Sequence, residues 1–304
     1  MFPEFLSNPQ SFNTMSIHRL LVAALASGSF TMTAQAVVIY GLGSDSRLYS
    51  FDSASPGSVT NIGASAGLVD IDFHAVNGLL YGVSASGSAF TVNTATGVQS
   101  LVTTPLSALS GLTAMDFNPL ADRIRLAGSG NSNARLTPDA QSPPTATQAN
   151  GTVTGDGTFS FFLADGTTPR PGVSILGVAY INPINNPANT TLYSLSADGF
   201  LNIHTTPGGS FGNGVAVGAL GFTPVGSGFD IAADGSGAFL GSAFAYDGTN
   251  LRLVNLTTGA GSSLGAIGLP GGVSLVGLAV VPEPSSLLLG AVGGLCLLRR
   301  RRTA

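Results

Sequence analysis

Short apolar runs recur along the chain, separated by clusters of Gly, Ser, Asn and Asp. One recurring phrase alternates apolar positions with acidic or small ones: Leu68–Phe73 (LVDIDF), Leu112–Phe117 (LTAMDF) and Gly228–Ile231 (GFDI). Leu176–Tyr180 and Leu275–Val280 repeat it without the acid. A second phrase follows a turn: Leu79–Val83, Arg123–Ala127, Thr191–Leu195, Gly237–Gly241 and, at the start, Val38–Leu42. A third comprises Arg47–Phe51, Ser88–Val92, Asn133–Thr137, Phe200–His204 and Leu251–Asn255. Weaker fourth runs lie at Val98–Thr103, Val215–Ala219 and Ser262–Ile267. Alternation over short runs bounded by turn residues predicts strands, so the class is all-β.

The spacing of equivalent positions predicts the architecture. Asp72 and Asp116 lie 44 residues apart, Ala179 and Asp230 51, and Asp230 and Ala279 49. Four short strands in that length make one blade of a β-propeller. Asp116 to Ala179 is longer, at 63, and the excess falls in 139–172, rich in Pro, Thr, Gly and Gln. That stretch reads as an irregular loop or an extra hairpin, and it has room to hide another blade. Five repeat units of about four strands predict a five-bladed propeller over residues 37–280. The body starts in a second-strand phrase and ends in a first-strand phrase. Pairing of the N- and C-terminal strands would therefore close the ring and remove exposed sheet edges. An open stack of twisted sheets fits the same repeats.

Composition fits this reading. Gly occurs 42 times and charged residues make up only 9%. The charge is unevenly placed: four of the 11 basic residues are Arg299–Arg302, and a fifth is Arg19. Between the terminal segments, six Arg face 13 Asp, a net charge of −7. Such a surface repels phosphate backbones and excludes nucleic acid as a partner. The one cysteine, Cys296, lies in the last apolar segment, so the body has neither a disulfide framework nor a thiolate metal site.

The two ends read as transport signals. Met15–Arg19 is a short basic start, Leu20–Phe30 an apolar core, and Ala34–Gln35–Ala36 an A-x-A cleavage site, making residues 1–36 a signal peptide read by signal peptidase. Residues 1–14 fit no part of it and read as a misassigned extension upstream of Met15. At the other end, 281–304 has three parts: Pro282–Glu283–Pro284, the uncharged apolar run Ser285–Leu298, and the Arg cluster. Fourteen helical residues span only ~21 Å of a ~30 Å hydrocarbon core. Starting at Val281, with snorkelling arginines, narrows the gap and gives a short transmembrane helix. The arginines hold that end in the cytoplasm and leave the body outside.

This tail resembles the PEP-CTERM sorting signal. The resemblance implies a Gram-negative, exopolysaccharide-making host and an exosortase, a membrane protease-transpeptidase, as partner. It also implies that Pro282, Glu283 and Pro284 are recognition residues. The protein would be anchored transiently in the inner membrane and then pass to the cell surface or matrix. The body resembles a bacterial family called domain of unknown function 4394, through Gly41–Tyr49, Gly78–Gly82, Asp116–Arg123, Gly228–Ala232 and the run Asp122–Asp139. That family has no established activity and supplies no catalytic residues.

Asp72, Asp116 and Asp230 hold equivalent positions and would converge on the propeller axis, where first strands lie. Three carboxylates there suit a hard cation such as Ca²⁺. Asp70, two residues earlier, points the same way. The alternative is that each carboxylate caps a turn or pairs with Arg123 or backbone N–H groups. Asp198–Gly199 and Asp234–Gly237 read as hairpin turns, since neither carries the spacing of a calcium loop. His74 and His204 fall on different repeat phases and share no ligand spacing. No G-x-S-x-G elbow accompanies a His and an Asp. With no catalytic set and no resident cofactor expected beyond Ca²⁺, the function reads as a non-enzymatic exported surface or matrix protein. Exopolysaccharide or other exported proteins would be its partners. A secreted hydrolase of lactones, phosphoesters or glycosides, or an inert spacer, are the other readings.

Overall fold

A computed structural model describes residues 36–139, 148–185, 187–204, 210–233 and 239–282. Three strands open the body, β1 (Val38–Gly43), β2 (Arg47–Asp52) and β3 (Ser55–Ala64). The second sheet is β4 (Leu68–Phe73), β5 (Leu80–Ser84), β6 (Ala89–Val92) and β7 (Gln99–Thr103). The third is β8 (Leu112–Asn118), β9 (Arg123–Gly128), β10 (Ser132–Leu136) and β11 (Val153–Thr158). β12 (Ser160–Phe162) precedes β13 (Ile175–Tyr180), β14 (Leu192–Ser196), β15 (Phe200–His204) and β16 (Asn213–Ala219). The last full unit is β17 (Phe229–Ala233), β18 (Phe239–Tyr246), β19 (Asn250–Val254) and β20 (Gly261–Ala266), and β21 (Leu275–Val280) ends the body. Among the described residues the one helical piece is a single 3-10 turn at Ser129–Asn131.

The strands form five sheets, antiparallel except where β12 joins β16, and each winds outward from its innermost strand. The inner strands follow one another around the axis as β4, β8, β13, β17 and β21, and β21 returns to β4. This is a five-bladed propeller. β21 pairs antiparallel with β1, from Ile39 opposite Val280 to Gly43 opposite Leu275, so the two ends of the body share the first blade as expected. Apolar side chains between neighbouring blades form five clusters, one at each seam. The core is therefore a ring of interfaces in which each blade is held by its two neighbours.

The outer edge has its own device. In the turns after β6 and β19, Asn93 and Asn255 each accept backbone N–H bonds from residues two and three further on. Each turn then closes on a left-handed glycine, Gly97 (φ 75°) or Gly259 (φ 79°). These tips press on Gly63 and Gly218, in the outer strands of the preceding blades, where a Cβ would collide with the Thr96 and Thr258 carbonyls.

Three expectations need correction. The long interval at 139–172 holds no sixth blade: it supplies β11, the outer strand of blade three, and then β12, which adds a parallel fifth strand to blade four. The second strand of blade five is not confined to Gly237–Gly241. It runs to Tyr246, and Ala243–Ala245 is the segment that pairs with Phe229–Ile231. Lastly, β3 and β11 are outer strands that the fourth-run pattern did not reveal. They are mostly exposed or half-buried, and so carry no apolar alternation.

Candidate functional site

The inner strands bring Asp72, Asp116 and Asp230 together on the axis, with one oxygen from each lying within 4.8 Å of the others. All three are buried, and so is Asp70. Their hydrogen bonds follow one rule. Asp72 accepts the N–H of Phe73 at 2.6 Å with one oxygen and the N–H of Phe117, in the next blade, at 2.8 Å with the other. Asp230 does the same with Ile231 and Val280, both at 2.6 Å. Asp116 accepts from Tyr180 of the next blade at 3.1 Å. The acceptor at each repeat position thus takes the N–H that follows the equivalent position one blade further on. Asp70 makes the same rung two residues earlier, to Ile71 at 2.9 Å and Met115 at 2.8 Å. The two units with Ala179 and Ala279 lack the rung.

These carboxyls are held in a low-dielectric place. Burial, and then repulsion from the neighbouring carboxylates, pushes Asp72 and Asp116 well above the ordinary aspartate value. Burial does the same to Asp70. Asp230, relieved by two backbone N–H donors, is raised to about 6. Hard oxygen donors suit a Ca²⁺-class ion, though three carboxylates supply only part of its usual six to eight ligands. The adjoining cavity, lined by Asp72, Asp230, Pro183 and Pro282, is about 10 Å³, near the minimum for one water.

The opposite end of the axis differs. A cavity of about 590 Å³ opens where the inner strands begin. Its walls include Leu68, Val69, Leu112, Ile175, Leu176 and Val276. Four inner strands carry a β-bulge at the same repeat position. The ladder skips Val69, Thr113, Leu176 and Val276, and all four line the cavity. Bulges re-aim side chains, here toward the mouth. The fifth blade contributes Gly226 and Ser227. Sequence reasoning missed this site. A signal was there in three blades: Leu68–Val69, Ile175–Leu176 and Leu275–Val276 each double an apolar position, whereas Leu112–Thr113 does not.

The remaining polar candidates are structural. Ser194 Oγ lies 2.8 Å from His204 Nε2, and His204 Nδ1 2.8 Å from the Phe211 carbonyl. This resembles a nucleophile–base pair, but both residues are fully buried, and burial lowers His204 to about 3. His74 is buried elsewhere, stacked on Phe117 with its Nε2 on Asp122. The two histidines do not meet. Asp198 sits in a hairpin turn and pairs with Arg170. Asp234–Gly237, Ala34, Glu283, Pro284 and the apolar run 285–298 lie outside the described residues. Ala36 is exposed, and Pro282 is half-buried beside Asp72 and Asp230. Among the described residues no helix is long and apolar enough to cross a membrane.

Comparison with curated proteins returns no match. Solved structures match this chain at low identity, among them three with TM-scores below 0.5. An auxiliary nutrient binding protein from Bacteroides thetaiotaomicron VPI-5482 is 17% identical, with a TM-score of 0.36 over 67% of this chain and 43% of that one. U3-55K is 11% identical, with a TM-score of 0.39 over 64% and 51%. A gluconolactonase from Xanthomonas campestris is 13% identical, with a TM-score of 0.44 over 78% of each chain. The chain thus spans only 43% and 51% of the length of the first two. Residues 280–302 match the PEP-CTERM protein-sorting motif, which marks an exported protein processed by an exosortase-type enzyme. Residues 47–279, nearly the whole propeller, match one family, and the chain belongs to it: Domain of unknown function (DUF4394).

Proposed function

We propose that this protein is a non-catalytic exported module, delivered to the cell surface or extracellular matrix of a Gram-negative bacterium, where its blades contact exopolysaccharide or other exported proteins. The observation supporting this is the separation of reactive groups from access. The axial cavity has no ionisable side chain among its described walls, while the Ser194–His204 pair and the axial carboxylates are buried. Low charge and abundant Ser, Thr and Asn suit contact with hydrated glycans. The sorting step is compatible with an intact ring. The Val281 N–H donates to the Val38 carbonyl at 2.9 Å, so cleavage beyond Val281 leaves the closing strand complete.

Intact mass and location in the native host test this reading. The natural protein is expected outside the cell without its Arg tail. A variant with Pro282, Glu283 and Pro284 replaced by Ala is expected full-length in the membrane. A full-length tail in both overturns the sorting step.

The axial carboxylates are proposed to hold one Ca²⁺, which would relieve their mutual repulsion. Without a cation, the folded state retains protons that the unfolded chain has lost. Asp230 ionises near 6 when folded and at 3.8 when unfolded, so stability falls as pH rises through that window. A shift of that size corresponds to about 3 kcal/mol. In chelator, the thermal midpoint is therefore expected to drop from pH 4 to pH 6, and Ca²⁺ at pH 7 to restore it. Asp116→Asn keeps an acceptor for Tyr180 but removes a charge, so it should flatten the pH slope and abolish the Ca²⁺ response. A Ca²⁺ response equal in both proteins, or absent from the natural one, excludes the ion.

A further inference from the structure

We infer that the axial cavity binds a neutral amphiphile with a single aliphatic chain. This goes beyond the surface contacts proposed above and rests on the body being a binding module. Three observations carry it. The first is construction: bulges at one repeat position in four blades turn Val69, Thr113, Leu176 and Val276 into the mouth. A random surface hollow would not recruit the same register position from successive blades. The second is chemistry. At about 590 Å³ the cavity lies within the range of small-molecule sites, and its described walls carry aliphatic side chains but no aromatic ring and no ionisable group. Sugars held by stacking need aromatic faces, and anionic or cationic ligands need a counter-charge.

The third is the gradient from floor to rim. Leu68, Leu112 and Ile175 are buried below, Val69, Leu176 and Val276 are half-buried, and the hydroxyls of Thr113, Ser129 and Ser174 are exposed. A hydrocarbon chain suits the floor, and an uncharged head bearing hydroxyl, ester or amide groups suits the rim. An anionic head is disfavoured because the described walls offer it no cationic side chain. Pro282, the last described residue, lies at the other end of the axis beside Asp72 and Asp230.

The test uses monodecanoin and decanoate, which share a chain and differ in the charge of the head. Binding to the full chain is followed by ligand-observed NMR, with Leu176→Trp/Val276→Trp as the filled-cavity control. Leu176→Gln, at a half-buried position, is a second variant, and thermal midpoints report folding in each. Monodecanoin is expected to bind at least tenfold more tightly than decanoate, and to lose at least tenfold in both variants. Equal binding to natural protein and folded variants, equal binding of decanoate, or displacement by maltohexaose overturns the inference. Release of decanoate from bound monodecanoin would confirm the site but overturn the non-catalytic reading, which separates the two failures.

Discussion

Deleting Leu275–Val280 is expected to abolish cooperative folding of the propeller. These six residues are the inner strand of blade one, although they lie at the far end of the body. Without them β1 loses its ladder partner, and β17 and β4 face a gap instead of a strand. Asp230 loses the Val280 N–H and is left buried with one fewer donor. Leu275, Leu278 and Val280 leave the seam between blades five and one, and Ala279 leaves the seam between one and two. Burying each of the three larger side chains contributes about 1.5–3 kcal/mol. Their sum, with the lost backbone bonds, is comparable to the ~5–15 kcal/mol by which a domain is stable. Urea unfolding followed by near-ultraviolet circular dichroism should show no transition in the deletion variant. A chain ending at Pro282 keeps the strand and should unfold cooperatively. A cooperative transition in the deletion variant at the same midpoint would mean that the blades stand without closure.

The same strand shows what the sequence makes legible. Leu275–Val280 and Leu68–Phe73 share a phrase because each must present one face to a seam and place small or acidic residues on the axis. That demand recurs in every blade, so inner strands and their spacing can be read directly, along with the ring closure. The axial position of Asp72, Asp116 and Asp230 follows from the same repeat. What they bond to does not, since the Phe117, Tyr180 and Val280 N–H groups belong to neighbouring blades and meet the carboxylates only once the ring is formed. Of the alternatives open in the sequence, these three accept backbone N–H groups, and Arg123 reaches Gln148 instead. Outer strands are hidden for the opposite reason. β3 and β11 have solvent on most of their length and no seam to write a pattern into them. In blade five, Phe239–Tyr246 (FLGSAFAY) offers two apolar runs, and only pairing with β17 and β19 selects the second. Three of the bulges lie in plain view as doubled apolar positions, Leu68–Val69, Ile175–Leu176 and Leu275–Val276, but a doubled position gains meaning only when they converge.

Replacing Arg125 by Met should destabilise the protein by about 3–5 kcal/mol, the usual consequence of removing one partner from a buried ion pair. The Arg125 side chain is fully buried on β9. Its guanidinium donates to Tyr180 Oη at 3.0 Å, to Asn133 Oδ1 and Asp156 Oδ2 at 2.6 Å each, and to the Ser210 carbonyl at 3.2 Å. It also lies 5.5 Å from the centre of the Phe211 ring. One side chain therefore joins blade three to blade four. Arg135 also holds Asp156, at 2.7 and 2.8 Å, but it is 23% exposed and solvent screens it. Arg135→Ala should consequently cost only about 1 kcal/mol or less. The large effect at Arg125 arises from the acceptors that lose a buried donor, namely Asn133 Oδ1, Tyr180 Oη and an Asp156 left with the partly exposed Arg135 alone, more than from attraction lost. Arg125→Met combined with Asp156→Leu removes both buried charges, leaves Arg135 to solvent, and should recover part of the deficit in urea unfolding at pH 7. If the double variant is less stable by the full sum of the single effects, the pair contributes through attraction itself, and the seam depends on its charge.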